Sequence, residues 1–166
     1  MTSDTTGIPG AKIGHGHLRV ADLKRAVAFY RDVIGMRVVL QRGDQVAFLS
    51  FDDYHHHLGL NTWNSKGGTP PPKGHTGLFH LALLFPDRAT LGQAIDRVQK
   101  AGHTLTGAAD HGVSEAVYLN DPDGNGLELY CDRPPSEWEI EADGTLKLVN
   151  DPLDVDALVA DGRAAS

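Results

Sequence analysis

The chain is expected to fold as an α+β protein. Two βαβββ modules would form a half-open mixed β-barrel cup with helices outside. Three observations predict this. Strand and helix periodicities recur in the same order in both halves of the sequence. His15 precedes Asp22 by seven residues, and His80 precedes Asp87 by seven. Leu58-Gly59-Leu60 in the first half matches Leu127-Glu128-Leu129 in the second. Self-similarity at a spacing of about 65 residues is what a duplicated supersecondary unit leaves behind.

Each element has its own warrant. Residues 1–12 are polar and contain Gly and Pro, which reads as a flexible arm without the apolar run of a leader peptide. Ile13–Val20 alternates as a strand, with His15, His17 and Arg19 on one face. Asp22–Ile34 has helical spacing, with Asp22 as N-cap and Gly35 as the stop. Met36–Gln41 and Gln45–Phe51 read as strands around the turn Arg42-Gly43-Asp44, and His55–Trp63 as a third. Residues 64–77 are a Gly/Pro-rich linker. The pattern then restarts with a strand at Leu78–Phe85 and a helix at Asp87–Ala101. Strands are expected at His103–Ala108, Glu115–Asn120 and Gly126–Tyr130. The domain is thus 13–134, with modules 13–63 and 78–134. Residues 135–166 form a C-terminal extension, with a turn or hairpin over Trp138–Asn150, a helical stretch at Asp154–Ala160 and a frayed end from Gly162.

Composition narrows the function classes. The net charge of −7 over 166 residues offers no basic stripe for nucleic acid. No stretch is long and apolar enough to span a membrane. The one cysteine, Cys131, rules out an internal disulfide and fits a reducing cytoplasm.

Chemistry concentrates at equivalent points of the repeat. Glu128 sits between Leu127 and Leu129, following the turn Asp121-Pro122-Asp123-Gly124. A strand carboxylate on an inward face needs a cation or water. His15, His80 and Glu128 occupy equivalent inward positions, and the fourth such position is Gly59. Two imidazoles, one carboxylate and one vacancy make a facial arrangement that leaves coordination positions open. It suits Fe(II), Mn(II), Zn(II) or Ni(II) and does not choose among them.

The pattern GHxHLRVAD, AFYRDVIGM, HHHLGLNTW, FHLAL, HGVSEAVYL and DPDGNGLELYCDRP resembles the vicinal oxygen chelate superfamily of glyoxalases, bleomycin-resistance proteins and extradiol dioxygenases. It is most similar there to single-domain proteins like the extradiol catechol dioxygenases. The resemblance implies His15, not His17, as first metal ligand, His80 as second and Glu128 as third. His17 would stand just outside the ligand set. The family's acid/base histidine lies three residues before a small residue, which gives His56 before Gly59; strict strand alternation points instead to His57. His111 and Tyr118 match the family's remaining His and Tyr, which hydrogen-bond substrate oxygen or an intermediate. The resemblance further implies an Fe(II)-dependent ring cleavage of a catechol-type diol by O2, in a homo-oligomer.

Other chemistries on this scaffold are the alternatives. A glyoxalase expects a fourth protein ligand, usually Glu, where Gly59 stands. A fosfomycin-type thiol transferase needs a cationic pocket, and Arg19 is the one inward cation that can be placed. An epimerase or related metal-dependent lyase stays open. A metal-free sequestering protein of the bleomycin-resistance kind would not need the intact trio.

Overall fold

Asp22 and Asp87 start the two long helices in the same way. In this computed structural model, which describes residues 8–165, the Asp22 carboxylate accepts from the Arg25 N–H at 3.0 Å. That of Asp87 accepts from Thr90 N–H at 2.7 Å. Each satisfies a first-turn donor that has no partner within its helix. Helix α1 (Leu23–Ala28) continues as wider π-type turns through Phe29–Ile34 and stops at Gly35, whose φ of +96° is left-handed. Helix α2 spans Arg88–Lys100.

The first sheet contains β1 (Gly16–Arg19), β2 (Arg37–Arg42), β3 (Val46–Ser50) and β4 (Leu58–Asn61) in the order β1-β4-β3-β2. The second contains β5 (Leu81–Phe85), β6 (Leu105–Asp110), β7 (Ser114–Asn120) and β8 (Gly126–Asp132), with the two-residue β9 (Asp151–Pro152) at its edge, in the order β5-β8-β7-β6-β9. In both, the strand before the helix pairs in parallel with the last strand of the module, and the remaining pairs are antiparallel. The two sheets do not close on each other, so the architecture is an α+β cup of two like halves.

The register aligns the halves residue by residue. Across the first sheet His17, Gly59, Phe48 and Leu40 lie in one row. Across the second the corresponding row is Ala82, Glu128, Tyr118 and Gly107. Leu127, Leu129 and Cys131 point to the helix side and are buried, while Glu128 and Tyr130 take the other face. One apolar cluster runs under both sheets, from Leu18, Tyr30 and Leu60 to Leu91, Leu119 and Leu129.

Several boundaries differ from the sequence expectation. Strand β1 starts at Gly16, so His15 stands just ahead of the ladder. Strand β4 starts at Leu58, and His55–His57 belong to the bend before it. Arg42 joins β2, and β6 runs on to Asp110. The C-terminal helix α3 spans Val155–Ala164, beyond the frayed end expected from Gly162. Its reach follows from packing: Leu158 is fully buried, and a Cβ on Gly92 would lie 2.1 Å from the Leu158 carbonyl oxygen. Gly92 and Gly162 together let α3 press onto α2 at a distance no side chain would permit. The arm expected over residues 1–12 falls partly outside the described residues, at Met1–Gly7.

Candidate metal centre

The turn ahead of Glu128 is built around a buried carboxylate. Asp121 Oδ1 accepts from the N–H groups of Asp123 and Asn125, both at 2.9 Å. Its Oδ2 accepts from the Tyr30 hydroxyl and from the Asn125 amide, also at 2.9 Å. Burial, then the Asp121 charge, holds the Tyr30 phenol well above its ordinary pKa, so it stays a donor. Asp123 Oδ1 accepts from the Ala21 N–H and from Arg25. The turn is thereby tied to α1 of the other half, and β8 leaves it at a fixed height.

Glu128 meets two partners, and a third residue extends the chain. His80 Nε2 lies 2.9 Å from Glu128 Oε2. The Tyr118 hydroxyl donates to Glu128 Oε1 at 3.1 Å. His111 Nε2 is 2.7 Å from the same hydroxyl. Burial first, then the Glu128 charge, pushes the Tyr118 phenol up to about 12, so it is protonated at neutral pH.

The first half presents rings rather than carboxylates. The His17 imidazole covers Gly59: a Cβ there would lie 2.8 Å from His17 Cγ. His17 Nε2 is 3.0 Å from the Asn61 amide nitrogen, which donates to it. Phe48 and Trp63 each lie 5.9 Å from the His17 ring, and Trp63 is 61% exposed. The His56 ring sits 4.3 Å from His15 and 4.6 Å from Phe48. His57 turns away, with Nδ1 2.9 Å from Ser50 Oγ. Burial, followed by the neighbouring His15, lowers the pKa of His56 and of His17, which favours their neutral, proton-accepting forms.

Of the expected ligands, His80 and Glu128 are brought together and His15 faces His56. Among the described residues no group of three His, Cys, Asp or Glu side chains converges on one point. The strands that follow the two histidines do adjoin at their starts. A Cβ on Gly16, next to His15, would lie 3.1 Å from Leu81 Cδ1, next to His80. His80 Nδ1 is buried without a hydrogen-bond partner, so that imidazole has a ring nitrogen to spare. Two imidazoles and a carboxylate on adjoining strand ends are chemically suited to a divalent ion.

The sequence pattern alone does not single out Phe48, Asn61 or Trp63. The register places Phe48 on the same cross-strand row as Gly59, as it places Tyr118 with Glu128.

Residues 12–129 match the family model for the glyoxalase/bleomycin resistance protein/dioxygenase superfamily. The chain belongs to that superfamily. It is 40% identical over 147 residues to a catechol-2,3-dioxygenase of Bacillus subtilis (strain 168), covering 89% of this chain and 50% of that protein. Lactoylglutathione lyases of the superfamily are also similar; a probable one from Vibrio parahaemolyticus is 26% identical, over 75% of this chain and 94% of its own length. The chain thus spans half the length of the dioxygenase and nearly all of the lyase. A superfamily domain from Frankia sp. EAN1pec shares the fold, with a TM-score of 0.65 at 21% identity, over 75% of this chain and 94% of that one. Superfamily membership together with dioxygenase relatives implies a divalent metal and a small-molecule substrate. No helix among the described residues is long and apolar enough to cross a membrane.

Proposed function

We propose that this chain is an Fe(II)-dependent extradiol dioxygenase that cleaves the ring of a catechol-type diol with O2. The observation that carries the reading is Gly59. It stands where Glu128 stands in the other half, and the His17 ring fills the space a fourth ligand would need. Three protein ligands, His15, His80 and Glu128, leave room on the metal for two reactants. A lyase of the glyoxalase kind would need a carboxylate at Gly59, and this packing disfavours it.

The metal, when bound, supplies a shared coordination sphere in which diol and dioxygen react as neighbours. The chain's own residues do the rest. His56, beside His15 and kept neutral by burial, takes a proton from the diol and returns it later. Tyr118 holds its phenolic proton between Glu128 and His111, ready to hydrogen-bond developing oxyanion charge. Phe48, His17 and Trp63 offer flat ring faces for a planar substrate. Cytoplasmic residence and a homo-oligomeric state complete the reading.

The test is anaerobic loading with Fe(II), followed by catechols and air. Oxygen uptake with a yellow ring-fission product is expected. No uptake with any simple catechol, in protein verifiably full of iron, overturns the reading.

A further inference from the structure

The C-terminal extension reaches the site through main chain alone. His111 lies in the turn between β6 and β7, where its N–H donates to the Ser114 carbonyl at 2.8 Å. The Val149 N–H donates to the His111 carbonyl at 3.2 Å. The Val149 carbonyl in turn lies 3.0 Å from His111 Nδ1. Val149 therefore grips both the backbone and the ring of one residue.

A carbonyl oxygen can only accept, so Nδ1 must carry the hydrogen. In the neutral ring, Nε2 is then left as an acceptor, aimed at the Tyr118 hydroxyl 2.7 Å away. The phenol has one proton and two acceptors, His111 Nε2 and Glu128 Oε1. If Nδ1 were the bare nitrogen, its lone pair would face the Val149 carbonyl and Nε2–H would face the phenol. The ring could then take no proton from Tyr118.

The rest of the extension fixes where Val149 sits. Gly112, at φ +77°, leaves room for Val149 Cγ2, 3.3 Å from where a Cβ would be. Strand β9, two residues on, pairs with Ala109 and Asp110 of β6. Trp138 Nε1 donates to the Arg133 carbonyl at 2.8 Å, and the Arg133 guanidinium bridges Asp110 and Glu115. Helix α3 closes the segment from the other side against α2.

We infer that Val149 is a positioning residue, whose main-chain carbonyl sets the tautomer of His111 and so keeps Nε2 available to Tyr118. The effect on turnover rests on the dioxygenase reading; the tautomer itself does not. The decisive measurement is 15N NMR of histidine-labelled full-length protein above the imidazole pKa, beside kcat and KM for catechol in the iron-loaded form. The native chain should show His111 as the Nδ1–H tautomer. Val149→Ala keeps both main-chain groups and should change neither tautomer nor kcat. Val149→Pro removes the N–H anchor and should give a mixture of tautomers. Its kcat should fall about tenfold to a hundredfold with KM within about twofold, the range for lost partners of a site's residues. An amide-to-ester replacement of the Val149–Asn150 link weakens the carbonyl acceptor without changing a side chain. It should move the tautomer the same way even if Val149→Pro does not fold. An unchanged tautomer in the ester form overturns the inference, as does an equal loss from Val149→Pro in a His111→Ala background. Absence of turnover by the native enzyme would overturn the dioxygenase reading and leave the NMR result to decide this one.

Discussion

The two halves share a topology and a register but not a chemistry. In the second, the row Ala82–Glu128–Tyr118 begins a chain of polar contacts running out to His111 and Val149. In the first, the matching row His17–Gly59–Phe48 is made of a ring lying on a glycine beside another ring. A duplicated module has thus divided the work. One copy carries the carboxylate and the phenol of the polar chain, and the other carries ring faces beside His56. The difference traces to one exchange at each of three positions: His for Ala, Gly for Glu and Phe for Tyr.

That division can be broken by substitution. The largest effect is expected from Glu128→Ala, which removes the only carboxylate of the proposed ligand set. Metal affinity should fall by more than about a hundredfold, since partners one step further out already cost ten- to a hundredfold. Metal content after gel filtration reads this directly, and stoichiometric retention would refute the ligand assignment. A change of similar consequence runs the other way. Gly59→Glu alone collides with the His17 ring and should destabilise the fold. His17→Ala with Gly59→Glu reproduces the Ala82–Glu128 pair in the first half. The double variant should bind metal more tightly and lose oxygen uptake; uptake at the native rate would mean that position 59 does not face the metal.

Smaller effects test the proton path. Tyr118→Phe makes the second row resemble the first. It should lower kcat about tenfold to a hundredfold while leaving metal content unchanged. Phe48→Tyr is the reciprocal swap, and turnover should stay within about threefold, because that row has no carboxylate to fix the added hydroxyl as Glu128 fixes that of Tyr118. A loss as large as that of Tyr118→Phe would contradict the division of work.

Much of this was legible in the sequence, for physical reasons. Both aspartate caps, the strand alternation around Glu128 and the duplication are local patterns, and the structure carries them without change of type. The ends of strands were less legible. His15 sits in the alternating run Ile13–Val20, and His55–His57 lead directly into Leu58-Gly59-Leu60, yet the ladder starts one residue after His15 and at Leu58. Where hydrogen bonding begins depends on the partner strand, which local sequence does not record. The Gly59 vacancy was visible, but its occupant was not. His17 fills it through parallel pairing of β1 with β4, a contact set by topology. Val149 left no signal at all, because its contribution is main chain and any residue but proline could make it. The length of α3 was hidden for a similar reason, resting on glycines whose value appears only against the helix they touch.

Among the described residues the two sheets share no hydrogen-bonded ladder. They meet at the apolar contact of Gly16 with Leu81 and at the ties from the Asp121–Asp123 turn to Ala21, Arg25 and Tyr30. An ion held by His15 from one side and by His80 and Glu128 from the other would rivet that seam. The reagent would also be a structural cross-link. Occupancy would then be felt as stability, by about 2.7 kcal/mol at a free metal concentration a hundred times the Kd. A cell short of the metal would hold a looser protein as well as an idle one.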